Sequence, residues 1–199
     1  MNTIHDNTTP RPAAPAARTY RPQLSFYHAN AKGTGSALTF ELVPACGEIE
    51  GCVLAKITSQ MTVGDRTGPT PIYPRFDWGN AIPLKLGFTD LSKMLQVFRG
   101  ECESLEDGRG LFHRSVKGQT RICLRHVVEP FTGYALEVYR SAQPVQDDGR
   151  AAFLFHPHEA LGLAAALESS FGVLCFGVPT AETAPRAAAR PAEEASHAA

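Results

Sequence analysis

With 199 residues, 43% of them hydrophobic, and a formal charge of −1, the chain suits one globular domain with tails and has no overall basic signature for nucleic acid. Any such case must be local. Its five cysteines, Cys46, Cys52, Cys102, Cys123 and Cys175, are odd in number and scattered, with no CxxC or Cys/His pair at metal-ligand spacing, which points to reduced thiols in a cytoplasmic setting. No apolar run is read as approaching the length of a membrane span, so no membrane partner is expected.

Residues 1–22, rich in proline and alanine, are expected to form a disordered arm, and residues 180–199, rich in Ala, Pro and Glu, a disordered tail. The folded domain is then 23–179. A short strand is predicted over Leu24–His28. After the turn at Ala31–Gly35, Leu38, Phe40 and Leu42 alternate with Ala37, Thr39 and Glu41, a second strand. Val53–Val63 gives a third, followed by a loop holding Gly64, Gly68, Pro69, Pro71 and Pro74.

The stretch from Arg75 carries the clearest change of period. Ile82, Leu84, Leu86 and Phe88 point one way along a fourth strand read over 75–88, with Lys85 facing the other. At Thr89, a predicted N-cap, Leu91, Met94, Leu95 and Phe98 take over at helical spacing. Asp90 suits the positive end of the dipole and Gly100 a C′ position. Past an acidic loop, strands are predicted at Leu111–Arg114, Arg121–Val128, Tyr134–Arg140 and Ala151–Phe155. Pro157 then opens a second helix, with Leu163, Leu167 and Phe171 on its buried face and an apolar tailpiece over 172–179. The expected fold class is α+β: two four-stranded antiparallel sheets, each followed by a helix, ββββα twice.

Between Arg109 and Arg125 stand five cations (Arg109, Arg114, Lys117, Arg121, Arg125) and no acid. Arg121, Cys123 and Arg125 share the outward face of one strand, Ile122 and Leu124 the inward face, and Phe112 and His113 interleave with the charges. Cations and rings on an exposed sheet are what a single strand requires, because every base offers a π-face and every nucleotide a charge. The same cations would also suit a solvated face. Phe76 and Trp78 point together and are expected in the core. Tyr134 and Tyr139 fall on opposite strand faces. His28, His113 and His126 are expected to be ordinary sheet histidines, with no metal site and no cofactor. Lys32-Gly33-Thr34-Gly35 lacks the spacing of a phosphate-binding P-loop, although glycines there would let backbone approach phosphate. No nucleophile stands beside an identifiable base, so no enzyme is expected.

In order and spacing the chain resembles the Whirly family of single-stranded DNA-binding proteins, whose fold is shared with a transcriptional coactivator and with kinetoplastid guide-RNA-binding proteins. The resemblance rests on Lys32-Gly33-Thr34-Gly35-Ser36-Ala37-Leu38, similar to the family's Lys-Gly-x-x-Ala-Leu signature, and on Arg75-Phe76-Asp77-Trp78 entering the fourth strand. Phe88-Thr89-Asp90-Leu91 at the first helix and Gly133-Tyr134 at a hairpin exit complete it. The signature here is one residue longer and has Gly35 or Ser36 where a second lysine is usual. The resemblance implies single strands bound along sheet edges between subunits of a cyclic homotetramer. Lys32, Gly33, Arg75, Lys85, Phe112, Arg114, Lys117, Arg121 and Arg125 are the candidate contacts. The function expected is binding of single-stranded DNA in transcription regulation, replication or repair. The same fold binding RNA, or a protein-interaction module assembled through the apolar 172–179 segment, stands as an alternative, and Val173, Leu174 and Phe176 beyond the last helix are the apolar surface expected to assemble the oligomer.

Overall fold

Alternating apolar side chains dominate both halves of the chain, and each half forms an antiparallel sheet with one face turned to a shared core. The computed structural model describes residues 22–116, 118–142 and 148–178. The arm expected over 1–22 (apart from Pro22), Lys117 and the tail at 180–199 lie outside the described residues.

In the first sheet β1 (Gln23–His28), β2 (Ser36–Val43) and β3 (Cys52–Thr62) follow one another, pairing Phe26 with Leu38 and Leu38 with Ile57. The far edge of β3 carries two strands. β4 (Arg75–Phe76) pairs near Gln60–Thr62, and β5 (Ile82–Leu86) pairs with Val53–Ile57. The single strand expected over 75–88 is therefore broken, and the sheet has five strands. The break is a 3₁₀ turn, Trp78–Asn80. The Asp77 carboxylate accepts from the Asn80 amide side chain at 2.8 Å, and the Asp77 carbonyl accepts the Thr58 hydroxyl at 2.5 Å.

Gly87 ends β5 and starts α1 (Phe88–Phe98). The Gly87 N–H donates to the Asp90 carboxylate at 3.0 Å, so Gly87 rather than Thr89 holds the N-cap position. Phe88, read as the last inward strand residue, is instead the first helical residue and half exposed. Leu91, Met94, Leu95 and Phe98 are buried as their spacing predicts, and Gly100, at φ +72°, ends the helix in the left-handed region that glycine favours.

The second sheet is a meander of β6 (Leu111–Ser115), β7 (Gly118–Val127), β8 (Gly133–Ala142) and β9 (Gly149–Phe155). α2 (Pro157–Phe176) follows, with Pro157 in its first turn. The tailpiece expected at 172–179 is mostly helix. An internal glycine costs about 1 kcal/mol relative to alanine, but Leu174 continues the buried stripe of Ala160, Leu163, Leu167 and Ser170 and holds the last turn in place. Val173, Leu174 and Phe176 thus lie within α2, and Leu174 is covered by its own domain. α2, at 20 residues, is also long and apolar enough to cross a membrane by length and composition, which corrects the expectation that no run reaches that size. Its buried stripe seats it on the protein core.

The two inward faces meet through Leu38, Ile57, Leu136, Phe153 and Phe155, all fully buried. The Phe26 ring packs within 6.3 Å of Phe40, Phe153 and Phe155. Phe98 of α1 meets Phe155 edge-on at 5.8 Å. Burial of each such side chain contributes about 1.5–3 kcal/mol. The arrangement leaves the outward faces of both sheets, and the edges at β5 and β6, to solvent.

Candidate nucleic-acid interface

Neither β5 nor β6 has a strand on its outer side among the described residues, and the two open edges flank a cleft of about 580 Å³. Strand alternation turns Leu84 into the core and leaves Lys85 exposed on one wall; Arg114 is exposed on the other. On the floor the His113 ring Nε2 lies 3.2 Å from an Asp90 carboxylate oxygen, tying the second sheet to the first helix. The Asp90 hydrogen bond raises the His113 value above its usual 6.5, against desolvation. Burial pushes the Asp90 carboxyl up, but the hydrogen bonds from His113 and Gly87 and the charges of His113 and Lys93 outweigh it and hold it below 3.8. The contact therefore favours protonated His113 on ionised Asp90, an ion pair whose charges cancel beside Lys85 and Arg114. A second concavity of about 330 Å³ extends the first along β6, past Phe112, Lys93 and Arg109.

The outward face of the second sheet adjoins this cleft. Antiparallel register sets Phe112, Arg121, Tyr139 and Arg150 in one row across all four strands. The Arg121 guanidinium carbon lies 5.7 Å from the centre of the Phe112 ring, and that of Arg150 lies 5.1 Å from the Tyr139 ring, close enough for cation–π attraction. Ile122 and Leu124 are buried beneath, so the outward placing of Arg121 and Arg125 is as predicted. Their freedom is not. Arg121 Nε donates to the Arg109 carbonyl at 2.7 Å and its Nη2 to the Gly108 carbonyl at 3.0 Å. Arg125 and Arg150 lie 3.6 and 3.5 Å from the two oxygens of Glu137. The Tyr139 hydroxyl donates to the same carboxylate, and this bond above all, with the two arginines, lowers the Glu137 value against desolvation. Four arginines on this face (Arg114, Arg121, Arg125, Arg150) stand against one glutamate among the described residues.

Lys32, Gly33 and Arg75 are not in the cleft. They gather at the other end of the first sheet, where β4 meets β3. The Asn30 side chain accepts the backbone N–H groups of Lys32 and Thr34 at 3.0 and 3.1 Å, shaping a loop in which Gly33 has φ +71°. Any side chain at Gly35 would collide with the His28 carbonyl and with Gln60, whose amide holds Asn30 and Gly35 in place. That crowding is a local reason for glycine at position 35. Beside this loop Tyr27, 56% exposed, lies 5.5 Å from Phe76 and 6.3 Å from Trp78, itself 38% exposed. The expectation that Phe76 and Trp78 belong to the core is corrected: with Tyr27 they form an aromatic patch on the outside. Arg75 pairs opposite Thr62 and Lys85 opposite Leu54, so the two cations lie about 26 Å apart along one edge at about 3.3 Å per residue.

Tyr27 of β1, Lys56 on the outer face of β3 and Arg150 of β9 are not among the residues singled out from the sequence, and Tyr139 is placed there only by its parity against Tyr134. Alternation alone places Tyr27 opposite to Phe26, and a hairpin register through the turn at Pro130–Gly133 would have set Tyr139 beside Arg121. Tyr134 points inward, as expected from its opposite parity, and its hydroxyl donates to the Phe98 carbonyl at 3.1 Å.

No protein-family model and no curated sequence matches the chain. Solved structures do. WHY1 from Arabidopsis thaliana superposes with a TM-score of 0.63 at 17% identity, over 79% of this chain and 86% of that one. The plant transcriptional regulator PBF-2 gives 0.58 at 18% identity, over 77% and 89%. A guide-RNA-binding protein complex bound to a guide RNA gives 0.52 at 14% identity, over 76% and 90%. The chain has a Whirly-like α+β fold.

Proposed function

We propose that this protein binds single-stranded nucleic acid without catalysing a reaction, single-stranded DNA first and RNA as the second reading. The observation that carries it is the in-register row Phe112–Arg121–Tyr139–Arg150 beside a cleft between two open sheet edges. The Phe112 and Tyr139 rings and the Arg121 guanidinium plane meet bases, and Lys85, Arg114 and Arg150 meet phosphates. A duplex keeps its base faces stacked inside, so it gains only the charge contacts. The RNA reading draws on one similar structure, which holds a guide RNA.

Arg75 on the same edge, with Lys32 in the β1–β2 loop and the aromatic patch of Tyr27, Phe76 and Trp78, supplies a second stretch of contact. Strands spanning both must follow β4 and β5. A cyclic homotetramer would align such edges from several copies; the exposed Leu161 and Phe176 of α2 offer apolar surface for its assembly. A role in transcription, replication or repair and a cytoplasmic location fit the reading, the latter because all five cysteines are unpaired. Against an enzyme, the acid–base pair on the cleft floor, His113–Asp90, is closed on itself, and the Ser115 hydroxyl donates to the Gly118 carbonyl at 3.3 Å. Titration with single-stranded DNA, single-stranded RNA and duplex of matched length tests the proposal. Both single strands should bind more tightly than the duplex.

A further inference from the structure

Where β1 ends and α2 begins, two histidines and a glutamate converge from sequence positions more than a hundred residues apart. His28 Nε2 lies 2.7 Å from Glu159 Oε1. The other Glu159 oxygen accepts the His156 backbone N–H at 2.8 Å, a contact that fixes the carboxylate in the first turn of α2. The His28 ring is stacked on Phe153 at 4.4 Å and 29°, so its orientation is set by the core beneath. The His156 ring lies 5.4 Å from that of His28. One ligand atom from each of His28, His156 and Glu159 falls within 4.8 Å of the others. The His28 and Glu159 side chains are 28% and 15% exposed, a sheltered pair beneath an exposed His156.

We propose that His28, His156 and Glu159 form a binding site for a divalent transition-metal ion of the zinc class. Two imidazoles and one carboxylate suit Zn²⁺, Co²⁺ or Ni²⁺, whereas Mg²⁺ and Ca²⁺ favour sites built of oxygen alone. Bonds of about 2.0–2.1 Å around a tetrahedral ion put ligand atoms about 3.3 Å apart. His156 must swing inward, and the His28–Glu159 contact opens by about half an ångström to admit the ion. Solvent takes the fourth position. Glu159 is held by the His156 amide, which serves as the supporting contact such ligands commonly have. The site departs from the expectation that His28 is an ordinary sheet histidine. It clips the first strand of the domain to the last helix, so bound metal stabilises the fold by mass action.

The test is a calorimetric titration of the full chain with ZnCl₂, in a background where the exposed Cys46 and Cys175 are replaced by serine. One saturable site is expected, with a melting temperature that rises as Zn²⁺ is added. His28→Gln and Glu159→Gln should each weaken binding roughly ten-fold or more and abolish the thermal shift. Glu159→Gln keeps an oxygen for the His156 amide, and circular dichroism checks that both variants fold. His158→Gln, altering the neighbouring ring 5.6 Å from His156, should leave binding unchanged. Co²⁺ should give a d–d spectrum without a thiolate charge-transfer band. Unchanged Zn²⁺ affinity in His28→Gln or in Glu159→Gln, or no saturable binding by the parent protein, would overturn the proposal.

Discussion

His113 of β6 and Asp90 of α1 meet at 3.2 Å across the junction of the two halves, at the bottom of the cleft between the open sheet edges. Folding raises the His113 value above 6.5, so the contact contributes stability in full below about pH 6.5 and loses it as the pH climbs through the folded value. Folding lowers the Asp90 value below 3.8, so that contribution is present above 3.8 and lost as the pH falls through the folded value. The pair is strongest between those limits. Both side chains are partly open to water, so its contribution is about 1 kcal/mol or less. Denaturant melts of the parent and His113→Gln should differ most near pH 6, and the difference should shrink as the pH climbs through the folded His113 value. A difference that does not change with pH would show that the pair carries no proton-linked stability.

Arg121 is expected to act twice. Its two hydrogen bonds hold the carbonyls of Gly108 and Arg109, next to Glu106 and Asp107 at φ 50° and 53°. Arg121→Ala should therefore cost about 1–2 kcal/mol of stability, as well as weakening nucleic-acid binding. Arg125→Ala, which removes only an exposed ion pair with Glu137, should stay within about 0.5 kcal/mol of the parent. Urea unfolding of the two variants distinguishes them; equal stability would show that the 108–109 turn does not depend on Arg121.

The last turn of α2 separates folding from assembly. Leu174 is 3% exposed and Phe176 88%. Leu174→Ala should cost about 2–4 kcal/mol, the usual loss for a large-to-small change in a core. Phe176→Ala should leave monomer stability almost untouched and shift light scattering toward smaller species. If Phe176→Ala leaves the mass unchanged, assembly does not use this end of α2.

The exposed aromatic patch offers a further check. Trp78→Ala should weaken single-strand affinity by about 1–3 kcal/mol, the contribution of one stacked base, with little effect on duplex binding. Equal losses for both ligands would assign Trp78 to scaffold support.

Much of the fold was legible because one face of nearly every strand is buried. Ile82, Leu84 and Leu86 declare β5 by alternation, and Leu91, Met94, Leu95 and Phe98 declare α1 by helical spacing. The break at Asp77 was not legible, since its cause is a bond to Thr58, a strand away. Likewise Gly172 reads as a helix end until Leu174 is seen to complete a buried stripe. For the site, parity along β7 placed Arg121 and Arg125 outward. Their partners did not follow from parity, because Tyr139 and Arg150 depend on the register between strands and the turn at 108–109 on local backbone. Arg75 shares an edge with Lys85 but not its cleft, a separation set by where β4 and β5 attach along β3, while Lys32 and Gly33 lie in the loop between β1 and β2.

The most direct test of the account is the salt dependence of single-strand binding by the parent and by a Lys85→Ala/Arg114→Ala/Arg150→Ala variant. All three side chains are exposed, so the fold should hold. Removing one cation from its phosphate should flatten the slope of log K against log salt by about 0.7, or roughly 2 for the three together. Binding to single strands by the parent, in preference to duplex, with the slope shallower by that amount in the variant is the result expected. Equal affinity for duplex, or a triple variant with unchanged affinity and slope, would contradict it.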